Sequence, residues 1–327
     1  MPFCPYLGED HNGPFSDEHV FPDALGGTKD FSIRVSEAAN SEVGSKIEGQ
    51  FLNSVLVKVL RQMHDIESRS GLPHIDLKGY IGGGPLGASV RLVKGQKPAV
   101  RLENFIQMDE KPDQGLARPN ETVLKSGTLY SFAGDDSALE ELIKSYDKKG
   151  MDVKVACDLS MGRPAVQAQT EIDLVNAQQV LTKIGYAALC FWFCGFAEGD
   201  DNARNWRAVF MADRAAVPVD ALHGSAFTAG DVLAKLIPPL ADYQHAAVAF
   251  ADANNRLVVG VTLFGVSELS LIALGSEDAA AHGLGPGELR IAIADDNLKK
   301  TIHLTEADLV ATFKDYKVVG VALKEDR

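Results

Sequence analysis

The chain lacks any uncharged apolar run long enough to cross a bilayer. The longest, residues 184–197, falls well short of the ~18–20 residues that a spanning helix needs, so no membrane partner is expected. Nor does it open on a basic stretch followed by an apolar one. Cys4, Pro5, Glu9 and Asp10 stand there instead, so no export leader is expected and a cytoplasmic location is predicted. Cysteine is scarce, with only Cys4, Cys157, Cys190 and Cys194 in 327 residues. The last two lie one helical turn apart in an apolar stretch, and buried free thiols are expected in place of a disulfide framework. Positive charge is also in deficit: 32 Lys and Arg face 45 Asp and Glu, a net charge of -13. That balance excludes coating of nucleic acid by bulk charge. It leaves a local basic patch or a bound metal ion as the route to a phosphate. Internal repeats and low-complexity tracts are absent as well.

What remains is an ordinary globular composition, 46% hydrophobic and 24% charged, in a chain long enough for two or three cores. Residues 1–28, rich in Gly, Pro, Asp and His, read as loops and short strands. Ile47, Phe51, Val55, Val59 and Met63, widened by Leu52, Leu56 and Leu60, recur at helical spacing and predict one long helix within residues 36–69. Gly71, Pro73 and the cluster Gly82, Gly83, Gly84 and Gly87 close this unit. A hairpin follows, from strands over 88–93 and 99–106 joined by a turn at 94–97, then an exposed loop over 111–120. A helix over 137–149 carries Ser137 as N-cap, and a strand is expected over 153–159. A long buried helix over 173–196 should end before a polar loop at 198–202. Strands over 245–251, 257–264 and 269–274 form an antiparallel meander. Thr305 and Asp308 resemble a capping box for a last helix, and 318–323 reads as a final strand. The fold class is α+β, with an N-terminal module over 1–75 and a larger α+β domain with antiparallel strands over 76–327, divided again near 165.

The stretch that carries chemistry is Ser16-Asp17-Glu18-His19-Val20-Phe21-Pro22-Asp23-Ala24-Leu25-Gly26-Gly27, followed by Val35-Ser36-Glu37-Ala38-Ala39-Asn40 and Gly44. It resembles the HNH endonuclease superfamily, the ββα-metal nucleases, and within it the subgroup whose motif runs D-E-H, two residues, proline and A-L-G-G, and later C-x-x-C-N. The resemblance implies two strands and a helix clasping one Mg2+ or Mn2+. It implies His19 as general base and Glu18 and Asn40 as metal ligands; apart from the resemblance, Asp17 reads as a turn residue or a partner of His19, and His11 as a candidate neighbour of the site. The residue types suit the chemistry. An imidazole titrating near neutrality can take a proton from water, and a carboxylate with an amide oxygen suits a hard divalent ion. For Glu18 the alternative is a solvated charge, and for Asn40 a helix N-cap.

Two departures accompany the match. The subgroup's paired C-x-x-C knuckles are reduced to Cys4, the other slots reading Leu7, Ser36 and Ala39. One thiolate cannot make a tetrahedral site, so no structural zinc is expected, and packing of Leu7, Val35 and Ala39 should replace it. The slot of the middle triad residue falls near Phe31 and Ser32. The resemblance continues faintly in Arg69-Ser70-Gly71, in Lys183-Ile184-Gly185-Tyr186, and in His245 with Leu263-Phe264-Gly265. Other signals are weak: Gly82 to Ser89 lacks the lysine of a phosphate loop, and Asp200, Asp201 and Asn202 read as a solvated loop. The implied function is a metal-dependent endonuclease that nicks or cuts DNA, in defence against foreign DNA, with a protein partner conceivable through the C-terminal domain. The alternative is a degenerate HNH module that binds nucleic acid or protein without catalysis.

Overall fold

The structure is a computed structural model that describes residues 1–81, 87–102, 105–108, 127–130, 136–148, 166–168, 173–218, 224–226, 245–295 and 300–305, with isolated positions between 222 and 233 and at 307–308. It is α+β, and all its paired strands run antiparallel. The chain forms two compact units, one of Met1–Pro73 with Ile172–Arg327 and one of His74–Glu171. Within the first of these, the N-terminal segment shares one core with the C-terminal half.

The first unit begins with a two-residue hairpin, β1 (Phe3–Cys4) with β2 (Glu9–Asp10). A second hairpin pairs β3 (Phe15–His19) with β4 (Ser32–Ser36), His19 opposite Ser32 and Ser16 opposite Val35. Helix α1 (Glu37–Val43) leaves β4 directly. The expected continuous helix is interrupted twice. A wide π-helical turn spans Gly44–Glu48 before α2 (Gly49–Asn53), and Ser54, with ψ 147, breaks the chain before α3 (Val55–Met63). The Ser54 hydroxyl accepts the Val57 N–H at 3.4 Å and restarts the helix. The two interruptions shift its phase, so Val57 and Leu60 are buried while Met63, placed on the buried stripe by periodicity, is 62% exposed.

The second unit holds a four-stranded sheet in which β5 (Ile75–Ile81) pairs β6 (Gly87–Leu92), β6 pairs β7 (Ala99–Leu102), and β10 (Val166–Ala168) covers the other edge of β5. The expected hairpin is the β6–β7 pair. Its second strand stops at Leu102, and β8 (Phe105–Met108) pairs β9 (Gly127–Tyr130) in a separate sheet. Helix α4 spans Asp136–Asp147. The expected loop at 111–120, the strands at 153–159 and 318–323, and Cys157 lie outside the described residues, as does most of the glycine cluster.

In the first unit again, α5 (Leu174–Trp192) is capped by Asp173, whose carboxylate accepts the Asn176 N–H at 3.1 Å. Where a polar loop was expected after it, two further helices form, α6 (Phe196–Gly199) and α7 (Asp201–Phe210). Asp200 caps α7 and meets His282 at 2.9 Å, so this acid is structural. Cys194, expected among buried thiols, is exposed beyond the end of α5.

A six-stranded sheet follows, in the order β11 (Gly224–Ala226), β14 (Ser270–Ser276), β13 (Leu257–Thr262), β12 (His245–Ala251), β15 (Leu289–Asp295), β16 (Lys300–Thr305). The meander β12–β13–β14 is the expected one, whereas periodicity did not mark β15 or β16. The side chains of β12 alternate between two cores: Ala247, Ala249 and Ala251 face α5, while Val248 and Phe250 fill a second cluster on the far side. The alanines let α5 lie close to the sheet. Gly185 admits α7 on another side, where a Cβ would stand 2.8 Å from the Trp206 ring. The capping box at Thr305 forms, with Asp308 accepting the Thr305 N–H at 2.8 Å.

Candidate functional site

The site is built where β3 ends. Along a strand, successive side chains point to opposite faces, so Ser16 and Glu18 share one face of β3, while Asp17 and His19 start from the other. Glu18 is buried, with 11% of its side chain exposed, and its Oε1 is in ion-pair contact with the Lys183 ammonium from α5. The Tyr6 hydroxyl donates to the same oxygen at 3.4 Å. Oε2 is bonded to no described residue and is not among the buried unpaired atoms, so Glu18 is anchored by one oxygen and open at the other.

Asn40 shows the same division. It stands in the first turn of α1, and its Nδ2 donates to Ser16 Oγ at 2.9 Å, leaving Oδ1 without a described partner. The helix cap position is Ser36, not Asn40, which removes the capping alternative. Because Ser16 and Glu18 share a face, Asn40 is brought to the face that carries Glu18. His19, at the end of β3, is half-buried, and its ring has no hydrogen bond to a described residue. Ser32, opposite His19 in the slot of the expected triad residue, donates its hydroxyl to Lys29 O at 2.7 Å, and Phe31 is buried among Phe21, Phe191 and Trp192. Neither serves His19. Asp17 is exposed opposite Arg34.

His11 lies to one side, its Nε2 3.2 Å from Ser36 Oγ, and Cys4 Sγ accepts the Ser36 N–H at 3.1 Å. Where a zinc knuckle would stand there is therefore a hydrogen-bonded Cys4–Ser36–His11 chain. Val35 and Ala39 are buried as expected, whereas Leu7 is 37% exposed. Among the described residues no three His, Cys, Asp or Glu side chains are grouped to hold a metal ion. Glu18 and Asn40 each present one open oxygen of a kind that suits a hard divalent ion, with the second atom of each side chain tied to the protein.

Two residues of this centre were not singled out as site residues from sequence, Lys183 and Glu48. Lys183 is fully buried. Besides Glu18 it meets Glu48 Oε1 at 2.8 Å and donates to the backbone carbonyls of His19 at 2.7 Å and Val20 at 3.3 Å. Burial alone would pull its pKa down, but the carboxylates of Glu18 and Glu48 outweigh that and hold it above the ordinary lysine value. For Glu48 burial dominates. It pushes the carboxyl above the usual range, assisted by Glu18 and opposed by Lys183. Tyr6, pushed upward by burial and then by both carboxylates, stays a phenol and can donate.

Helix α5 holds this centre from beneath through one face. Asn176 donates to Ile47 O at 3.0 Å, next to Glu48; Lys183 follows two turns on; and the Tyr186 hydroxyl donates to Pro5 O at 2.6 Å. Comparisons of the chain with protein-family models, with curated proteins and with solved structures return no match.

Proposed function

We propose that β3, β4 and α1 form an HNH-type ββα unit and that the protein is a metal-dependent endonuclease hydrolysing phosphodiester bonds of DNA. The observation that carries this reading is the half-fixed state of Glu18 and Asn40. Each has one polar atom bonded within the protein and one open oxygen, and the ring of His19, the residue after Glu18 at the strand end, has no hydrogen bond to a described residue. Glu18 and Asn40 would hold Mg2+ or Mn2+, which supplies stabilisation of the charge developing on the phosphate and the leaving oxygen. His19 takes the proton of the attacking water. Lys183 and Tyr6 hold Glu18 by its inner oxygen, and Ser16 holds the amide of Asn40. A bound ion also answers the acidity of the chain, because the positive charge at the phosphate then need not come from Lys and Arg.

A second reading, a non-catalytic module that binds nucleic acid or protein, is favoured by one observation: Lys183 already neutralises Glu18 from within the core. Cleavage of plasmid and linear DNA, and of RNA, by the full chain with Mg2+ or Mn2+ near neutral pH separates the two. The nuclease reading expects cutting by the native protein and a loss of about 10²–10⁴-fold in His19→Ala. No cutting by the native protein on any substrate, or equal cutting by the variant, would favour the binding module or a different base.

A further inference from the structure

We propose that Lys183 is a positioning residue of this centre, acting from inside the core on both Glu18 and His19, and that Glu48 is the counter-charge that keeps Glu18 attractive to a cation. The proposal rests on the nuclease reading above. Lys183 is 0% exposed, so it cannot touch a phosphate or a water that attacks one. Its contacts go instead to the two residues that would. An ammonium has three donors and no acceptor. Here it meets Oε1 of Glu18 and the carbonyls of His19 and Val20, with Glu48 Oε1 at 2.8 Å.

The grip on two successive carbonyls falls where β3 stops pairing and the chain turns into Phe21 and Pro22. It fixes the backbone from which the His19 ring projects. The contact with Glu18 turns one oxygen inward and leaves Oε2 as the free one. A single ammonium against a single carboxylate would leave Glu18 with little pull on a divalent ion. The second carboxylate gives the ionised set one net negative charge, which an ion at Oε2 would complete.

A longer or planar cation cannot repeat these contacts. Arginine spreads its donors over a fork matched to carboxylates and would have to displace the wide turn that carries Glu48. Support of this kind, one shell out from a metal, is worth about 10–100-fold in affinity or activity.

The test uses the full chain in two variants, Lys183→Arg and the double variant Lys183→Met/Glu48→Gln, which removes the ammonium together with its counter-charge. The first readout is the His19 ring 1H–13C resonance without metal, with the His282 ring as a remote internal control. The second is Mn2+ affinity, measured with the metal alone by electron paramagnetic resonance. Expected are a displaced or split His19 signal, an unmoved His282 signal, and Mn2+ binding weaker by about 10–100-fold. A His19 signal at its native position in either folded variant overturns the proposal, whatever happens to cleavage. If the double variant does not fold, Lys183→Arg decides by the same criterion. If the native protein binds no Mn2+ and cuts nothing, the nuclease reading falls, while the His19 resonance still decides whether Lys183 positions that ring.

Discussion

Replacing Lys183 by Met should be among the most damaging single changes available in the first unit. The substitution keeps the volume of the side chain but leaves Glu18 and Glu48 facing each other in the core without a cation, and strips the carbonyls of His19 and Val20 of their donor. Removing one member of a buried ion pair costs about 3–5 kcal/mol, because the remaining charge is left uncompensated. That is a large part of the roughly 5–15 kcal/mol that holds a domain folded. The same reasoning requires rescue. In Lys183→Met/Glu18→Gln/Glu48→Gln no charge is stranded, and most of the loss should be recovered, since neutral replacements of buried ion clusters are often harmless. Equilibrium urea unfolding followed by tryptophan fluorescence measures both, because Trp192 and Trp206 belong to the first unit and the second unit has no tryptophan. A single variant that loses less than about 1 kcal/mol, or a triple variant as unstable as the single one, would refute the account of a buried, mutually dependent cluster.

Two pH effects follow from the same core. The Glu48 carboxyl is raised by burial above its ordinary value of 4.5, so between that value and its folded value the native state holds more protons than the unfolded chain, and stability falls as pH rises. Glu48→Gln should remove that decline, gaining over the native protein at pH 8 relative to pH 5 in thermal melts; parallel melting curves at both pH values would contradict it. His245 is pushed down to about 3, mainly by burial and secondarily by His64, and its Nδ1 accepts the Phe264 N–H at 3.0 Å. Its neutral form is therefore required by the fold. Stability due to this group is complete above the unfolded value near 6.5 and is lost as pH falls towards 3, by on the order of 5 kcal/mol at about 1.4 kcal/mol per unit. Urea midpoints from pH 7 to 4 should decline less steeply in His245→Gln, and an unchanged slope would exclude His245 as the source.

The parts of the fold that could be read from the sequence were those written in local periodicity: the meander β12–β13–β14, the hairpin β6–β7, helices α4 and α5, and the capping box at Thr305. The single helix expected after the motif could not be read correctly. Ser54 resets the helix without a Gly or Pro, Gly44 and Gly49 at the ends of the wide turn keep helical dihedrals and so mark no break by themselves, and the turn and α2 pack against the distant α5. The site divides the same way. Glu18, His19 and Asn40 lie within one short motif, whereas their support comes from Lys183, far along the chain. A signal for Lys183 did exist. It is the one charged residue among Val180, Leu181, Ile184, Ala187 and Ala188, on a helix apolar nearly all round, and a lysine in such a place must have buried partners. Which acids those were could not be known, since Glu18 and Glu48 look like solvated charges on a strand and a helix until the long-range contact is formed.

The bond from Lys183 to the His19 carbonyl joins positions 164 residues apart, and the second compact unit lies entirely between them. On a ribosome adding roughly 5–20 residues per second, the motif is in place for about 10–30 s before the lysine beneath it has been made. Through that interval the strand end that carries His19 has no inner brace, and Glu18 has no reason to turn its Oε1 inward. The arrangement around Glu18 is thus a property of the finished chain, and any shortened product that stops before α5 would carry every residue of the motif without the lysine that braces it.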